Sequence, residues 1–514
     1  MKAFVLETIA SKALVFITSL FAVAWLATSN VNLQAQEKEF DNPEVVAKLR
    51  TILKDIYAAY YVDPRHIAEQ TKQCGQIGKT VEESVSILAN MLESENREEI
   101  LWAAAGLNVI GTPSLPHVPR LLELRSAGPL NGRFDCTSGI KDHLRSESEA
   151  PKLLLQYFKH EKRELIWWSY EALTGMKSNA KNLLPYFVQM MDDERVDPAV
   201  RNLASEIIGS IGAEATWAIP SLVGHLTREE SKIDAVSQLA KIGPAVLEDT
   251  TNLLVKGNDL AKRRVLNLYA RLAEKALPAL PLVTPLIESK NKWVSFEAAW
   301  AYWQMTHKLD QIEAVVSQAI VDPERCERAS QWVERMGEQA SAFTTEIVKA
   351  LKQPEFSERT HENLILSLAH TGPASMASTP VLEFFCQHES LKLKHAAAVS
   401  LFKVSGSEEL PVKTLIGILK SDLPRLKQRY YSQSMIALGK IGPGAQDAVP
   451  VLEDFLNKPK TSWRHYSAKS LAQIGGSGET VLRKALNHEE VRVREKARWA
   501  LDEYFDKKED EEKK

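Results

Sequence analysis

The stretch RYYSQSMIALGKIGPGAQDAVPVLEDFLNKP, residues 429–459, decides the fold. In its first half apolar side chains recur with the 3.6-residue period of a helix, at Tyr431, Met435 and Leu438. Gly442 adopts a positive φ easily and Pro443 cannot continue a helix, so the first helix ends there. A second apolar stripe follows at Ala448, Leu452, Phe455 and Leu456. The stretch therefore predicts two short helices folded back on each other.

Two residues define the start of the second helix. Asp447 is placed to accept hydrogen bonds from the free N–H groups of the first turn. Pro450 lies in that same turn, where a missing N–H costs little.

The glycine and the proline of this stretch recur along the chain at a fixed interval. A glycine precedes a proline by eight residues, and a leucine follows two residues later, in four places: Gly111, Pro119 and Leu121; Gly212, Pro220 and Leu222; Gly372, Pro380 and Leu382; Gly442, Pro450 and Leu452. Such a fixed interval predicts a protein built of stacked repeats that share one continuous core.

The repeated pattern resembles the HEAT family, and more narrowly the short HEAT-like repeats of phycobilin lyases. The resemblance is carried by EIIGSIG (206–212), AIPSLV (218–223), IALGKIG (436–442) and AVPVLEDFL (448–456). It implies an all-α, right-handed α-α superhelix, an armadillo-like solenoid of roughly a dozen helix-pair repeats. Alternating strand patterns do not compete with this prediction.

Glycines mark the turns of the predicted array. They occur at Gly78, Gly111, Gly175, Gly212, Gly243, Gly337, Gly372, Gly406, Gly442 and Gly475. A doubled gap before Gly175 indicates one degenerate unit, and the 94 residues from Gly243 to Gly337 have the length of three. We therefore expect a repeat array over 76–506, degenerate near 131–150 and 244–336. A domain boundary is placed at 131–150, the least repeat-like segment. Helices over 36–75 would cap the array, and 507–514 would be a charged tail.

The N-terminus has the features of an export signal. Lys2 and Lys12 give a positive start, and an uncharged apolar run extends from Ala13 to Ala27. The run is shorter than the about 20 apolar residues that a membrane-spanning helix needs. Residues 1–35 are therefore predicted to be a cleaved signal peptide, with an uncleaved membrane anchor as the alternative. Either interpretation places the rest of the chain outside the cytoplasm, in the periplasm or secreted.

Composition bounds the classes of partner. The chain of 514 residues is 44% hydrophobic and carries a net charge of −3. A near-neutral balance argues against a nucleic-acid backbone as the partner. HEAT-like alkylpurine glycosylases do bind DNA, so strongly salt-dependent DNA binding would be needed to revive that class.

Four His-Glu pairs are the strongest candidates for metal chemistry. They are His160-Glu161, His361-Glu362, His388-Glu389 and His488-Glu489. Deoxyhypusine hydroxylases, which have similar repeats, place such pairs around a di-iron centre. Here the pairs do not align relative to the glycines, so we interpret them as helix-end residues. GQIGKT (75–80) lacks the first glycine of a phosphate-binding loop, and nucleophile motifs are absent from the sequence.

The four cysteines are widely spread. Cys74 and Cys136 could form a disulfide in an exported protein, whereas Cys326 and Cys386 lie within apolar helix faces. Buried free thiols are the preferred interpretation for Cys326 and Cys386, and the pairing of Cys74 with Cys136 stays open.

Three aromatic clusters are candidates for either core packing or binding. Trp293, Phe296, Trp300 and Trp303 form one helical stripe, which favours the core. Trp167, Trp168 and Tyr170 form a second group. Tyr430, Tyr431, Trp463 and Tyr466 form the third, and we argue that the adjacent Tyr430 and Tyr431 cannot both point inward. Aromatic residues with arginines make binding hot spots, so partner binding is predicted at Arg425, Arg429, Tyr430, Trp463 and Arg464.

The sequence thus predicts an exported, non-catalytic HEAT-repeat scaffold that binds another protein through its concave surface. No catalytic, cofactor-binding or metal-binding residue is nominated, no cofactor is expected, and a membrane would be met only through the N-terminal segment. The alternative is a repeat-built enzyme or cofactor-binding protein, either lyase-like or metal-dependent.

Overall fold

The computed structural model describes residues 43–58, 72–127, 137–145, 150–424, 428–458 and 461–506. Within these residues the regular structure is helical throughout, which confirms the all-α prediction. The predicted signal segment 1–35 and the charged tail 507–514 lie outside the described residues. The chain divides into two compact units, Met1–Leu282 and Val283–Lys514, a division that the sequence did not predict.

The described part of the first unit is a succession of helices joined by short turns. They lie at Pro43–Ala58, Val81–Met91, Arg97–Ile110, Val118–Ala127, Ser138–Leu144, Ala150–Phe158, Arg163–Met176, Leu184–Asp192, Pro198–Ile211, Ile219–Thr227, Ala235–Ile242, Leu247–Lys256 and Asp259–Leu272. A short helix, Leu280–Val283, crosses the division between the units.

The described part of the second unit is built in the same way. Its helices lie at Lys292–Thr306, Glu313–Val321, Cys326–Arg335, Thr344–Leu351, Glu358–Thr371, Thr379–Cys386, Leu391–Ser405, Glu409–Lys420, Arg429–Ile441, Val449–Asn457, Thr461–Ile474, Ser477–Ala485 and Val491–Leu501.

In each repeat we call the helix before the turn the first helix and the helix after it the second. Pairs run from Arg97–Ile110 with Val118–Ala127 to Thr461–Ile474 with Ser477–Ala485, which gives twelve pairs among the described residues. Val81–Met91 precedes these pairs and is counted as a second helix, and Val491–Leu501 follows them and is counted as a first helix. Within each unit most neighbouring first helices pack side by side, and most second helices pack on the first helix that follows them. The described part of residues 131–150 is one such repeat, since Ser138–Leu144 and Ala150–Phe158 form a pair.

In most of the described repeats the turn between the two helices is a 3-10 segment rather than a tight loop. Gly442 has φ of 74° and ψ of −135°, as its position in the sequence predicted, and Gly442–Ala448 is a 3-10 helix. The second helix begins only at Val449, and no side chain caps its N-terminus. The predicted capping role of Asp447 is therefore wrong, because the 3-10 turn already supplies carbonyl partners for the first N–H groups.

Among the described residues, three turns have a residue other than glycine at the positive φ. Lys177, Ala273 and His307 have positive φ values of 51°, 52° and 55° at the end of a first helix. Ala273 and His307 divide the glycine-poor stretch into the three units that its length predicted. The prediction of a turn at Gly175 is wrong, because Gly175 lies inside the helix Arg163–Met176 and the positive φ falls at Lys177.

The core lies between and beneath the first helices. Gly439 lets two of them approach closely, since a Cβ there would lie 3.1 Å from Ser470 Cα. Ser470 Oγ donates a hydrogen bond to Met435 O at 2.7 Å across the same contact. The predicted stripes of the 429–459 stretch are buried, and so are Val46 and Leu49 of the N-terminal helix.

The aromatic stripe on Lys292–Thr306 is part of the core, as predicted. Phe296, Trp300 and Trp303 are buried. Trp332 of the next first helix stacks on two of them, with ring centroids 3.6 Å from Phe296 and 4.7 Å from Trp300.

One described segment, Pro198–Thr227, has the length and apolarity of a membrane span. Gly212–Ala218 interrupts it with a 3-10 turn, and its two halves are the first and second helices of one repeat. Its apolar side chains therefore serve the core of the repeats.

Candidate functional site

The five residues predicted to bind a partner are placed in different environments. Arg425 lies outside the described residues. Arg429 is exposed, with its guanidinium carbon 5.2 Å from the centroid of the Tyr430 ring. Trp463 is half-buried and lies edge-on to Tyr431, with ring centroids 5.2 Å apart. Tyr430 and Arg464 are buried, so they are not available at the surface for a partner.

Burial of both Tyr430 and Tyr431 corrects the argument that adjacent residues cannot both point inward. The Tyr430 ring faces His395 on the neighbouring first helix, with centroids 6.1 Å apart. The Tyr431 hydroxyl donates to Ser421 O at 2.5 Å and accepts from the Leu423 N–H at 2.9 Å, on the side of the preceding second helix. First helices have neighbours on several sides, so their buried arc is wider than one apolar stripe.

Arg464 differs from the arginines at the equivalent position in other repeats. Arg201 and Arg494 are also the fourth residues of their first helices, and they donate to backbone carbonyls of Met191 and of His488 and Glu489. Arg464 instead donates through Nη2 to Glu490 at 2.6 Å. Its Nε and Nη1 are buried without a hydrogen-bond partner among the described residues.

The His-Glu pairs have a structural role at three of the four sites. Nδ1 of the histidine accepts the backbone N–H two residues later, from Lys162, Ser390 and Glu490, at 3.0, 3.0 and 3.1 Å. These three histidines lie at equivalent places, directly after a second helix. In the sequence the equivalence of His160 to the other two histidines was hidden, because its position was measured from Gly175, which does not lie in a turn.

The fourth histidine of these pairs, His361, is buried in the first turn of Glu358–Thr371. Its Nδ1 lies 3.1 Å from Ser357 O, within reach of a hydrogen bond to that carbonyl. Among the described residues, no group of three or more His, Cys, Asp or Glu side chains is arranged to hold a metal ion.

Sequence reasoning missed a buried trio in the first unit. His225 Nε2 lies 2.9 Å from Asp192 Oδ1, and its Nδ1 lies 2.9 Å from Ser231 Oγ. Burial lowers the pKa of His225, although the hydrogen bond to Asp192 acts in the opposite direction. The neutral ring then donates to Asp192 and accepts from Ser231.

This connectivity is that of a hydrolase triad, but its setting is structural. The imidazole is 2% exposed, and Ser231 Oγ also accepts the N–H of Ile233. The trio links the ends of the second helices Leu184–Asp192 and Ile219–Thr227 to the loop that follows. A substrate has no free face of this imidazole to approach.

The three described cysteines, Cys74, Cys326 and Cys386, are buried free thiols. Burial raises their pKa to about 12, about 12 and about 11 respectively. Cys136 lies outside the described residues. Thiols with pKa values this high are poor nucleophiles.

Large exposed apolar side chains are concentrated on one kind of element in the repeats. Most of the large ones lie on second helices or on the 3-10 segments that lead into them: Val81, Leu153, Tyr186, Trp217, Val255, Leu277, Leu282, Val321, Met376 and Phe384. Only Trp167 and Val491, among the described residues, lie on first helices. We call the first set the second-helix surface.

A cleft lies on this surface in the second unit. It lies between the second helices Thr344–Leu351 and Thr379–Cys386 and has a volume of about 780 Å³. Most of its lining is apolar, from Val348, Leu351, Pro354, Phe356, Ala377, Pro380, Val381, Phe384, Phe385 and Leu393. Phe384, the most exposed large apolar side chain of the described residues at 65%, gives this Phe384 cleft its name.

Comparisons with known proteins agree on the fold and go no further. Neither a family model nor a curated protein matches the chain. Among solved structures, the karyopherin Kap121p bound to the extreme C-terminus of the protein phosphatase Cdc14p is similar, with a TM-score of 0.50 and 12% identity. That match covers 96% of this chain and 67% of the other.

Two further Kap121p structures, bound to Nup53p and to Pho4p, match with TM-scores of 0.50 and 11% identity. Each match covers 91% of this chain, which spans only 57% of the Kap121p chain. The class of protein is therefore a HEAT-repeat helical solenoid, as the sequence predicted. At this level of identity the likeness shows the fold alone.

Proposed function

We propose that this protein is an exported, non-catalytic scaffold that binds another protein through a concave surface formed by successive second helices. A solenoid offers such a surface because its repeats place equivalent helices side by side. Affinity then comes from contacts distributed over several repeats rather than from a single deep site.

The observation that carries the proposal is the second-helix surface. Exposed aromatic and aliphatic side chains on a soluble protein mark interaction sites when they cluster on one side. Tyr186, Trp217 and Phe384 are its exposed aromatic residues, and aromatic residues dominate binding hot spots. First helices carry far fewer such residues, although they form most of the packed core.

The similar solved structures add a precedent for the binding mode. Kap121p was solved with segments or proteins bound to it, among them the extreme C-terminus of Cdc14p. We extend protein binding, but no particular partner, from that fold to this chain.

Export rests on the sequence of residues 1–35. Cell fractionation tests it, with immunodetection of the protein and N-terminal sequencing of the mature chain. A mature N-terminus near residue 36 in the envelope or periplasmic fraction is expected. Cytoplasmic protein that starts at Met1 would contradict export while leaving the scaffold proposal standing.

Affinity capture from the envelope fraction of the host tests the scaffold itself. A variant with Tyr186, Trp217 and Phe384 changed to Ser should lose a protein that the unaltered chain retains at stoichiometric amounts. The matched control changes Trp167 and Val491, the exposed apolar residues of first helices, to Ser and should retain it. Loss in both variants, or in neither, would overturn the proposal.

The alternative function makes a different prediction in the same experiment. A repeat-built enzyme or cofactor-binding protein would elute without a protein partner and carry iron or a chromophore. Metal analysis and the absorption spectrum of the purified chain distinguish the two.

A further inference from the structure

We propose that the Phe384 cleft binds a protein segment that inserts a bulky apolar side chain and places a carboxylate beside it. This inference rests on the proposed function and adds the chemistry of the partner at one site. It is argued from the apolar lining, the exposed phenyl ring and the charges at the rim.

Shape and lining fit a large apolar side chain. The cleft of about 780 Å³ is bounded by two neighbouring second helices and by Pro354 and Phe356 of the loop between repeats. Phe385 is buried at the base, and Phe384 stands beside it with ring centroids 5.4 Å apart. A partner side chain placed here covers Phe384, whose exposed ring otherwise contacts water.

The polar side chains that line the cleft are one ammonium group, one carboxylate and two imidazoles, those of Lys352, Glu358, His361 and His388. Lys352 lines the cleft, is exposed and has no ion pair within the described part of the chain. Glu358, the one carboxylate in the lining, already accepts a hydrogen bond from Ser390 Oγ. Glu355, Glu383 and Glu389 are near in sequence but do not line the cleft.

His388 adds a fixed donor to the same rim. Its Nδ1 accepts the Ser390 N–H at 3.0 Å, so the neutral ring carries its proton on Nε2. His388 lines the cleft, and among the described residues its Nε2 has no hydrogen-bond partner. An ammonium group and an imidazole N–H both suit an acceptor with negative charge, which is why the partner is expected to carry Asp or Glu next to its apolar anchor.

A phage library of random 12-residue peptides, panned against the full chain, tests the inference. Enriched peptides should combine an aromatic residue or leucine with Asp or Glu. Synthetic copies should bind Phe384→Ser at least tenfold more weakly and Lys352→Glu several-fold more weakly. Trp167→Ser, at an exposed aromatic residue of a first helix in the other unit, is the matched control and should bind normally.

Three outcomes would overturn the inference. They are no enrichment, enriched peptides without acidic residues, and equal binding by Phe384→Ser and the unaltered chain. Thermal melts of each variant verify that it is folded. If the cleft variants still capture the natural partner, the cleft inference fails while the scaffold proposal stands; if the unaltered chain captures no protein, the scaffold proposal fails.

Discussion

At the scale of single residues, Arg464 shows how a buried charge is tolerated in this fold. Its side chain is 1% exposed and has one charged partner, Glu490, which is itself 43% exposed. Removal of one member of such a pair leaves the other uncompensated, whereas an apolar replacement of the buried charge is often neutral or stabilising. The structure therefore assigns Arg464 to packing rather than to partner binding.

Two substitutions test this assignment. Glu490→Ala should destabilise the second unit by about 1–3 kcal/mol, because the buried guanidinium loses its only acceptor. Arg464→Met should stay within about 1 kcal/mol of the unaltered protein or exceed it in stability. Urea unfolding followed by circular dichroism measures both. A larger loss from Arg464→Met than from Glu490→Ala would contradict the assignment.

Buried histidines make stability depend on pH. Burial lowers the pKa of His225 and of His395, against the opposing effects of Asp192 and Glu362. Between the folded and unfolded pKa values of these histidines the unfolded chain binds more protons than the folded chain. Their contribution to stability is therefore fully present above about pH 6.5 and decreases as the pH falls below it. Arg201 and Arg228 lie near His225 and further disfavour its protonation.

The expected result is a lower urea midpoint at pH 5.5 than at pH 7.5. His225→Gln should reduce this pH dependence whatever its effect on absolute stability, and His370→Gln, at an exposed position, should not. A midpoint that is unchanged or higher at pH 5.5 would contradict the account.

At the scale of elements, the turn after each first helix determines what the sequence could predict. Glycine with positive φ revealed most turns, because few other residues adopt that conformation. The turns at Ala273 and His307 were not predicted, because the surrounding repeats hold these residues at positive φ and no local sequence signal marks them. The number of repeats between Gly243 and Gly337 was predicted from the length of that stretch.

Ala273 is a direct test of that strain. Its φ of 52° and ψ of −131° resemble those of Gly442. Ala273→Gly should therefore stabilise the protein by about 1 kcal/mol, and Gly442→Ala should destabilise it by about 1–3 kcal/mol. Ala270→Gly, within the same helix, is the control and should destabilise by about 1 kcal/mol. Urea midpoints decide, and a loss of stability in Ala273→Gly would refute the explanation.

At the scale of the whole molecule, the fold could be predicted from the sequence and the candidate binding surface could not. The fold could be predicted because spacings such as Gly442 to Pro450 recur in four repeats and can be read along the sequence. Exposure depends on neighbours in other repeats, so Tyr430 and Arg464 were placed wrongly at the surface. Phe384 was missed because its sequence neighbours, Leu382 and Phe385, make the segment resemble core.

The central claim is that the second-helix surface binds a protein. Its most direct measurement is the affinity of the captured partner for three purified chains: the unaltered protein, the variant of Tyr186, Trp217 and Phe384, and the control variant of Trp167 and Val491. The account predicts a Kd at least tenfold higher for the second-helix variant alone. Equal Kd values for all three chains, or weakening by the control variant only, would contradict it.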